Sequence, residues 1–263
     1  MTGRVPAVLL REWAELRRNR VVLLSVLVPP LLFAGFPLIF LHSGALAGLA
    51  AATPQLGGMR QGRPDLAELS DQQALEVLLL GQFLAMLLLA PISAPLTIAS
   101  YSIVGEKQLH TLEPLLATPI RTWELLLAKA LAAALPGAAA GWLGYSLLTL
   151  GAQPVVGPAA FAYLIGPTGL LLAFLLAPLL ALLGVGLATV ASSRTDDPRA
   201  SQQVGAVVVL PVVGLLFAQA GGALYLGSGL VLAASLVAAL ADVALLLVAA
   251  RLFQRETILT RWR

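Results

Sequence analysis

Six long apolar stretches dominate this sequence and restrict what the chain can fold into. They cover residues of about 21–42, 74–103, 123–150, 161–191, 204–226 and 229–250. Each is long enough for a helix to cross a hydrocarbon core of about 30 Å, which takes roughly 20 residues. None shows the apolar and polar alternation of membrane strands. Because a helix satisfies its own backbone hydrogen bonds in lipid, the stretches predict an all-α integral membrane protein with six transmembrane helices.

The overall composition agrees with a protein that lies in a membrane. Hydrophobic residues make up 59% of the 263 residues and charged residues 11%, whereas a soluble domain averages roughly 45–50% apolar and about 25% charged residues. Cysteine is absent, which excludes disulfide bonds and thiolate metal sites. Arginines recur from Arg4 to Arg20, so the beginning of the chain does not resemble a cleaved signal peptide.

Lysine and arginine are distributed unevenly among the segments that join the stretches. If the N-terminus is cytoplasmic and the chain crosses six times, fourteen of the 16 basic residues lie inside and only Arg60 and Arg63 lie outside. Cytoplasmic segments of membrane proteins carry such an excess of positive charge. The distribution therefore predicts a protein of the cell membrane with both termini in the cytoplasm.

The chain divides into three predicted parts: a cytoplasmic interfacial helix over 1–20, a six-helix permease domain over 21–250, and a basic cytoplasmic tail over 251–263. The first part has the charge and apolar pattern of an amphipathic helix at a membrane surface. Its apolar stripe consists of Val5, Val8, Leu9, Trp13 and Leu16, and Arg4, Arg11, Glu15 and Arg18 face away.

Three further segments were assigned from composition and turn chemistry. Residues 43–73 form a long outer segment, interpreted as a solvated connector. Residues 192–202 are predicted to form a short inner loop around Asp196-Asp197-Pro198. Gly227-Ser228-Gly229 is predicted to be a minimal turn between the last two helices. Gly137, Gly141 and Gly144 put small residues on one face of the third helix, which predicts close helix packing there.

A charged segment containing prolines joins the second and third stretches, with Thr111 as a helix cap and Pro119 as a stop. Leu112, Leu115 and Leu116 give this short helix one apolar side. The helix is too short to be stable alone. We therefore expect its apolar side to pack on the bundle, on the lipid headgroups or on another protein.

The residues in and after this segment occur in a distinctive order. They are Gly105-Glu106-Lys107, Thr111-Leu112-Glu113, Leu115-Leu116, Thr118-Pro119, Glu124-Leu125-Leu126 and Lys129. This set resembles the signature of the type-2 ATP-binding-cassette (ABC) exporter permeases, roughly G-E-[RK]-E-x-G-T-L-E-x-L-L-x-[TS]-P-[VI] followed by E-L-L-x-G-K. The sequence departs from that pattern at Gln108, His110 and Ala128.

The resemblance implies a function and a set of partners. It implies that the coupling segment 105–122 contains a short cytoplasmic coupling helix that docks on a separate ATPase subunit. It also implies two such ATPase subunits and a second permease subunit, identical or paralogous. The chain has no G-x-x-x-x-G-K-[ST] phosphate loop, so we expect it not to be an enzyme, and ATP and magnesium to bind the partner. The implied coupling residues are Glu106, Thr111, Leu112, Glu113, Leu115, Leu116 and Pro119.

The polar residues inside the stretches are candidates for a translocation path. They are Ser93, Thr97, Ser100, Tyr101 and Gln219, together with Asp242, the sole acid deep inside a stretch. A largely apolar lining suits a lipid, a drug or another hydrophobic compound. Asp242 leaves an alternative open, an ion-coupled secondary transporter that uses this carboxylate. A hydrogen bond to a neighbouring helix or a subunit contact would also explain Asp242. An intramembrane protease is disfavoured, because His42 and His110 both lie outside the predicted helices' interior.

Overall fold

The structure is a computed structural model, and it describes residues 4–45, 66, 68–108, 122–193, 195 and 197–252. Every regular element in these ranges is helical. The α-helices are Arg4–Leu16, Arg20–His42, Asp71–Leu87, Ala90–Gln108, Thr122–Ala152, Pro158–Ile165, Pro167–Leu171, Ala177–Ser192, Pro198–Gly205, Val209–Ala220 and Ser228–Leu252, with a π-helical turn at Leu172–Leu176 and a 3-10 turn at Ala206–Val208.

Six helical segments are long and apolar enough to cross a membrane, which confirms the predicted fold class. In chain order, the first to sixth spans are Arg20–His42, Asp71–Ser102, Leu127–Ala152, Pro158–Ser192, Pro198–Ala220 and Ser228–Leu252. We call the end of the bundle at which the first span begins the basal end, and the opposite end the distal end. The helix Arg4–Leu16 is called the N-terminal helix.

The second, third and fourth spans form the centre of the bundle. In their most apolar windows 67%, 56% and 44% of the residues are buried, against 22%, 17% and 22% in the first, fifth and sixth spans. The third span presents the predicted glycine face to the second span. A Cβ at Gly137 would lie 2.6 Å from Pro95 Cδ, and one at Gly141 would lie 3.3 Å from Pro91 Cβ. The two spans therefore touch with almost no side chain between them, as the spacing predicts.

The second and fourth spans are both interrupted. The helix from Asp71 ends at Leu87, and a new one begins at Ala90. In the fourth span, Gly166 is extended (φ −74°, ψ 178°) between two short helices. The Tyr145 hydroxyl donates a hydrogen bond of 2.8 Å to the Leu164 carbonyl oxygen at this break. The third span thus supplies a hydrogen bond to a backbone carbonyl oxygen that loses its helical partner at the interruption.

The fifth span differs from its predicted position of 204–226, because it begins and ends six residues earlier. Asp197 caps it by accepting a 2.9 Å hydrogen bond from Arg199 N, and Pro198 occupies the first helical position. Residues 198–202 of the predicted inner loop 192–202 therefore belong to this helix. The span stops before Gly222, whose φ of +70° suits glycine.

The turn predicted at Gly227-Ser228-Gly229 is also wrong. The sixth span begins at Ser228, and the connection to the fifth span occupies 221–227. By contrast, the order Ser70-Asp71-Gln72-Gln73 predicts a capping box at the start of the second span. The structure confirms it, since Gln73 N donates to Ser70 Oγ and Ser70 N donates to Gln73 Oε1. The predicted coupling helix, most of the outer segment and most of the basic tail lie outside the described residues.

Candidate functional site

The N-terminal helix docks on the basal part of the bundle. The Trp13 indole nitrogen donates a 3.2 Å hydrogen bond to the carbonyl oxygen of Ala132 in the third span. Only residues 17–19 separate this helix from the first span, and the Asn19 side chain caps that span by accepting from Val21 N at 3.0 Å. The C-terminal part of the helix is therefore hydrogen-bonded to the third span and joined by a short connection to the first span.

A buried ion pair reinforces this docking. Lys129 Nζ lies 2.9 Å from Glu12 Oε1, and each residue is only 7% exposed. The Ser102 hydroxyl joins both groups, because it donates to Glu12 Oε2 at 3.1 Å and accepts from Lys129 Nζ at 3.0 Å. We call Glu12, Ser102 and Lys129 the basal cluster. It connects the N-terminal helix with the second and third spans.

The physical effect of the basal cluster follows from its burial. Moving a carboxylate and an ammonium group out of water is costly, and close pairing with further hydrogen bonds compensates for that cost. A single partner left alone would be an uncompensated buried charge. The N-terminal helix is thus attached to two specific helices rather than to the membrane surface alone. Those two helices are the ones that the segment 109–121 joins.

The third helix is longer than a hydrocarbon core is thick. That helix runs from Thr122 to Ala152 and has 31 residues, a length of about 46 Å at 1.5 Å per residue. This exceeds the roughly 30 Å of a hydrocarbon core. The contact of Trp13 with Ala132 lies about 15 Å from the start of this helix. A helix of this length can cross the hydrocarbon core and extend beyond it by several turns.

The predicted coupling residues cannot be compared one by one with this geometry. Glu106 lies in the helix Ala90–Gln108, close to its basal end. The other six lie outside the described residues and their roles stay predictions; they are Thr111, Leu112, Glu113, Leu115, Leu116 and Pro119.

Two of the residues predicted to line a path, Thr97 and Ser100, belong to a second polar cluster near the basal end. Ser100 Oγ donates to Ser201 Oγ at 3.2 Å, and Ser201 lies 2.7 Å from Ser192 Oγ. Gln202 Nε2 donates to Thr97 Oγ1 at 2.9 Å. Thr97 and Ser100 thus join the second span to the fourth and fifth. Whether they face a path in another conformation stays a prediction.

The remaining candidates lie apart from this cluster. Ser93 donates to Ala90 O in its own helix at 3.0 Å, and Tyr101 is 45% exposed. Asp242 is 7% exposed, on the buried side of the sixth span. Both of its carboxylate oxygens, and Gln219 Oε1, lack a hydrogen-bond partner among the described residues. The structure therefore does not gather the predicted path residues into one site.

Two buried acids were missed by the sequence analysis. Glu12 was treated as one of many charges, although it lies between Leu9 and Leu16 in the centre of an apolar stripe. Glu76, 4% exposed, accepts a 2.8 Å hydrogen bond from Gly157 N and one of 3.2 Å from Gln72 Nε2 at the distal end. The sequence feature that indicates its burial is a lone acid in the apolar run Ala-Leu-Glu-Val-Leu. An acid on an otherwise apolar face indicates a buried partner.

Comparison with known proteins identifies the family. The family model described as ABC-2 family transporter protein matches residues 7–248, which include the N-terminal helix from its first turns and nearly all of the six spans. No curated protein matches the chain. The match does not favour the alternative of an ion-coupled secondary transporter. The chain therefore belongs to the ABC-2 transporter family and is a multi-pass membrane subunit of an ABC transporter.

Proposed function

We propose that the chain is the permease subunit of an ABC exporter and moves its substrate with ATP that a separate subunit hydrolyses. The observation that supports this most directly is the basal cluster. Lys129 and Ser102 lie on the two helices that flank the segment 109–121, and Glu12 attaches the N-terminal helix to both. A displacement of that segment would therefore reach three helices at once.

The coupling surface is the segment itself. Leu112, Leu115 and Leu116 supply the apolar side of a short helix that docks in a groove of the ATPase subunit. Glu106 and Glu113 meet basic groups of that groove or cap the docked helix. The docking surface fits one conformation of the permease better than the other, since a partner shifts an equilibrium only by its differential affinity. ATP and magnesium bind in the partner, where hydrolysis takes place.

The movement passes from this surface to the bundle through packed contacts. The second and third spans move together, because Gly137 and Gly141 lie directly against Pro95 and Pro91. The N-terminal helix follows them through the basal cluster. The first span follows in turn, since only residues 17–19 connect it to that helix.

Two permease copies and two ATPase subunits form the complete transporter. The first and fifth spans have large apolar side chains that the single chain leaves open, such as Ile39 (73% exposed) and Phe217 (74% exposed). Such faces suit a second copy and surrounding lipid. A pathway between walls of this composition suits a lipid, a drug or another hydrophobic compound.

Co-purification from native membranes tests the proposal. We expect an ABC ATPase to remain bound to the full chain and to dissociate when Glu113→Arg is combined with Leu116→Asp. A matched control is Glu68→Arg, which makes the same change of charge as Glu113→Arg at an exposed position near the distal end. Retention of the ATPase by the double variant, or its loss in the control as well, would contradict the assignment of this surface.

The absence of cysteine provides a direct test of orientation. Glu68→Cys near the distal end and Arg18→Cys near the basal end each introduce a single thiol at an exposed position. A membrane-impermeant maleimide added to intact cells should label only the Glu68→Cys variant. Labelling of the Arg18→Cys variant alone would place the basal end outside and remove the surface from the reach of a cytoplasmic ATPase.

A further inference from the structure

A cleft with a volume of about 370 Å³ opens between the N-terminal helix, the first span and the third span. Its size is within the range of roughly 300–1,000 Å³ that ligand sites occupy. Leu135, Ala139 and Trp142 line it from the third span, and Trp13 lines it from the N-terminal helix. Arg17 is the one charged residue of the lining.

The indole N–H groups of the two tryptophans that line the cleft already donate hydrogen bonds within the protein. Trp13 donates its indole hydrogen to Ala132 O, and Trp142 donates its own to Ala173 O at 3.0 Å. Arg17 is different, because it is exposed and its guanidinium makes no ion pair or hydrogen bond within the described ranges. The cleft therefore offers one cationic group at its edge and an apolar surface elsewhere.

The position of the cleft relative to the bilayer narrows the class of ligand. Arg17 precedes the start of the first span at Arg20 by three residues, whereas Val26 lines the cleft about 9 Å inside that span. Each headgroup layer is about 5–8 Å thick. The cleft thus runs from the headgroup layer into the hydrocarbon region. Arg18 and Arg20 are also exposed and add positive charge at the same level.

We propose that this cleft binds one anionic glycerophospholipid of the surrounding leaflet. The phosphate contacts Arg17, and an acyl chain lies along Leu135, Ala139 and Trp142. Basic pockets beside transmembrane helices recognise anionic headgroups in this way. A second copy of this chain is less favoured as the occupant, because it would have to place an acidic side chain against Arg17. Among the exposed acids in the described part, only Asp197 lies at the basal end.

Tryptophan quenching by brominated lipids tests the site in the full chain. Trp123 and Trp262 are first replaced by Phe, which leaves Trp13 and Trp142 as the reporters. The protein is placed in phosphatidylcholine nanodiscs with increasing amounts of brominated phosphatidylglycerol. The measured quantity is the apparent association constant of the anionic lipid relative to brominated phosphatidylcholine.

Arg17→Gln should lower this relative constant by about tenfold or more, because it removes a charge-assisted hydrogen bond to the phosphate as well as a surface charge. Arg20→Gln is the matched control, since it removes the same charge three residues away and outside the cleft lining. It should lower the constant by no more than about fivefold, the size expected for one arginine near an anionic surface without a specific contact. Ala139→Phe fills the cleft at a position exposed to it and should bring the relative constant close to one.

Two results would overturn the proposal. An equal loss in the Arg17→Gln and Arg20→Gln variants would indicate general attraction of lipid to the basic surface. If Ala139→Phe leaves the quenching unchanged and instead alters the ratio of dimer to monomer, the cleft holds a second copy of the chain. Thermal midpoints equal to that of the parent protein would show that each variant is folded.

Discussion

The buried pair between Glu12 and Lys129 allows a quantitative prediction. Replacement of Lys129 by Met leaves the Glu12 carboxylate in a site that is 7% exposed, with Ser102 as its remaining hydrogen-bond partner in the basal cluster. Removing one member of a buried ion pair costs about 3–5 kcal/mol. We expect this loss to act on the docking of the N-terminal helix, because the pair is one of its side-chain attachments to the bundle.

The expected effect is large enough to measure locally. A loss of about 3–5 kcal/mol raises the population of the undocked helix by about two to three and a half orders of magnitude, since each 1.4 kcal/mol is a factor of ten. Hydrogen–deuterium exchange of the backbone amides of residues 4–16 reports this population. Glu12→Gln should also raise the population of the undocked helix. Arg18→Gln changes an exposed charge near the same helix and should stay within about 0.5 kcal/mol of the parent protein.

A double variant distinguishes the cost of an unpaired buried charge from the cost of altered packing. Glu12→Leu combined with Lys129→Met replaces both charges by apolar side chains, so no uncompensated charge remains. This variant should recover most of the protection that Lys129→Met alone removes. The reasoning is refuted if Lys129→Met exchanges no faster than Arg18→Gln, or if the double variant loses as much protection as both single variants added together.

Four other substitutions have clear expected outcomes. Gly137→Ala should lower stability by about 1–3 kcal/mol through overpacking against the second span, whereas Gly35→Ala, with nothing within 4 Å of the new Cβ, should be neutral or stabilising in thermal unfolding. Glu76→Gln replaces the charge-assisted bond from Gly157 by a neutral one and should cost about 1 kcal/mol in the same assay. Asp242→Asn removes a carboxylate without described partners, so the thermal midpoint and ATP-dependent transport should both be retained; loss of transport alone would assign the carboxylate a functional role.

The six spans were predictable from the sequence because length and apolarity are local properties of each segment. The fifth span shows where this signal fails. Its first residues, with Ser201 and Gln202, are polar and resemble a loop, yet they form helix because their side chains bond to Ser192 and Thr97 on other spans. A hydropathy pattern places the start of a span at its first apolar residues. The helix itself begins earlier, at its N-cap residue.

The basal cluster shows a second limit of sequence reasoning. Glu12 and Lys129 are 117 residues apart, and no local pattern connects them. The sequence shows an acid inside an apolar stripe and a lysine inside an apolar run, and each pattern indicates a buried charge. It does not show that the two side chains lie next to each other. The glycine face of the third span was easier to predict, because spacing along one helix defines a face without knowledge of the partner.

The direct contact of the second and third spans has a mechanical consequence. Two helices separated by long side chains can slide, since those side chains can adopt new rotamers as the axes shift. Gly137 and Gly141 against Pro95 and Pro91 leave no such freedom, because backbone and rigid rings meet there. Over this contact the two spans therefore behave as one stiff unit. A force applied to it from the basal end tilts both helices together and is not dissipated by local repacking.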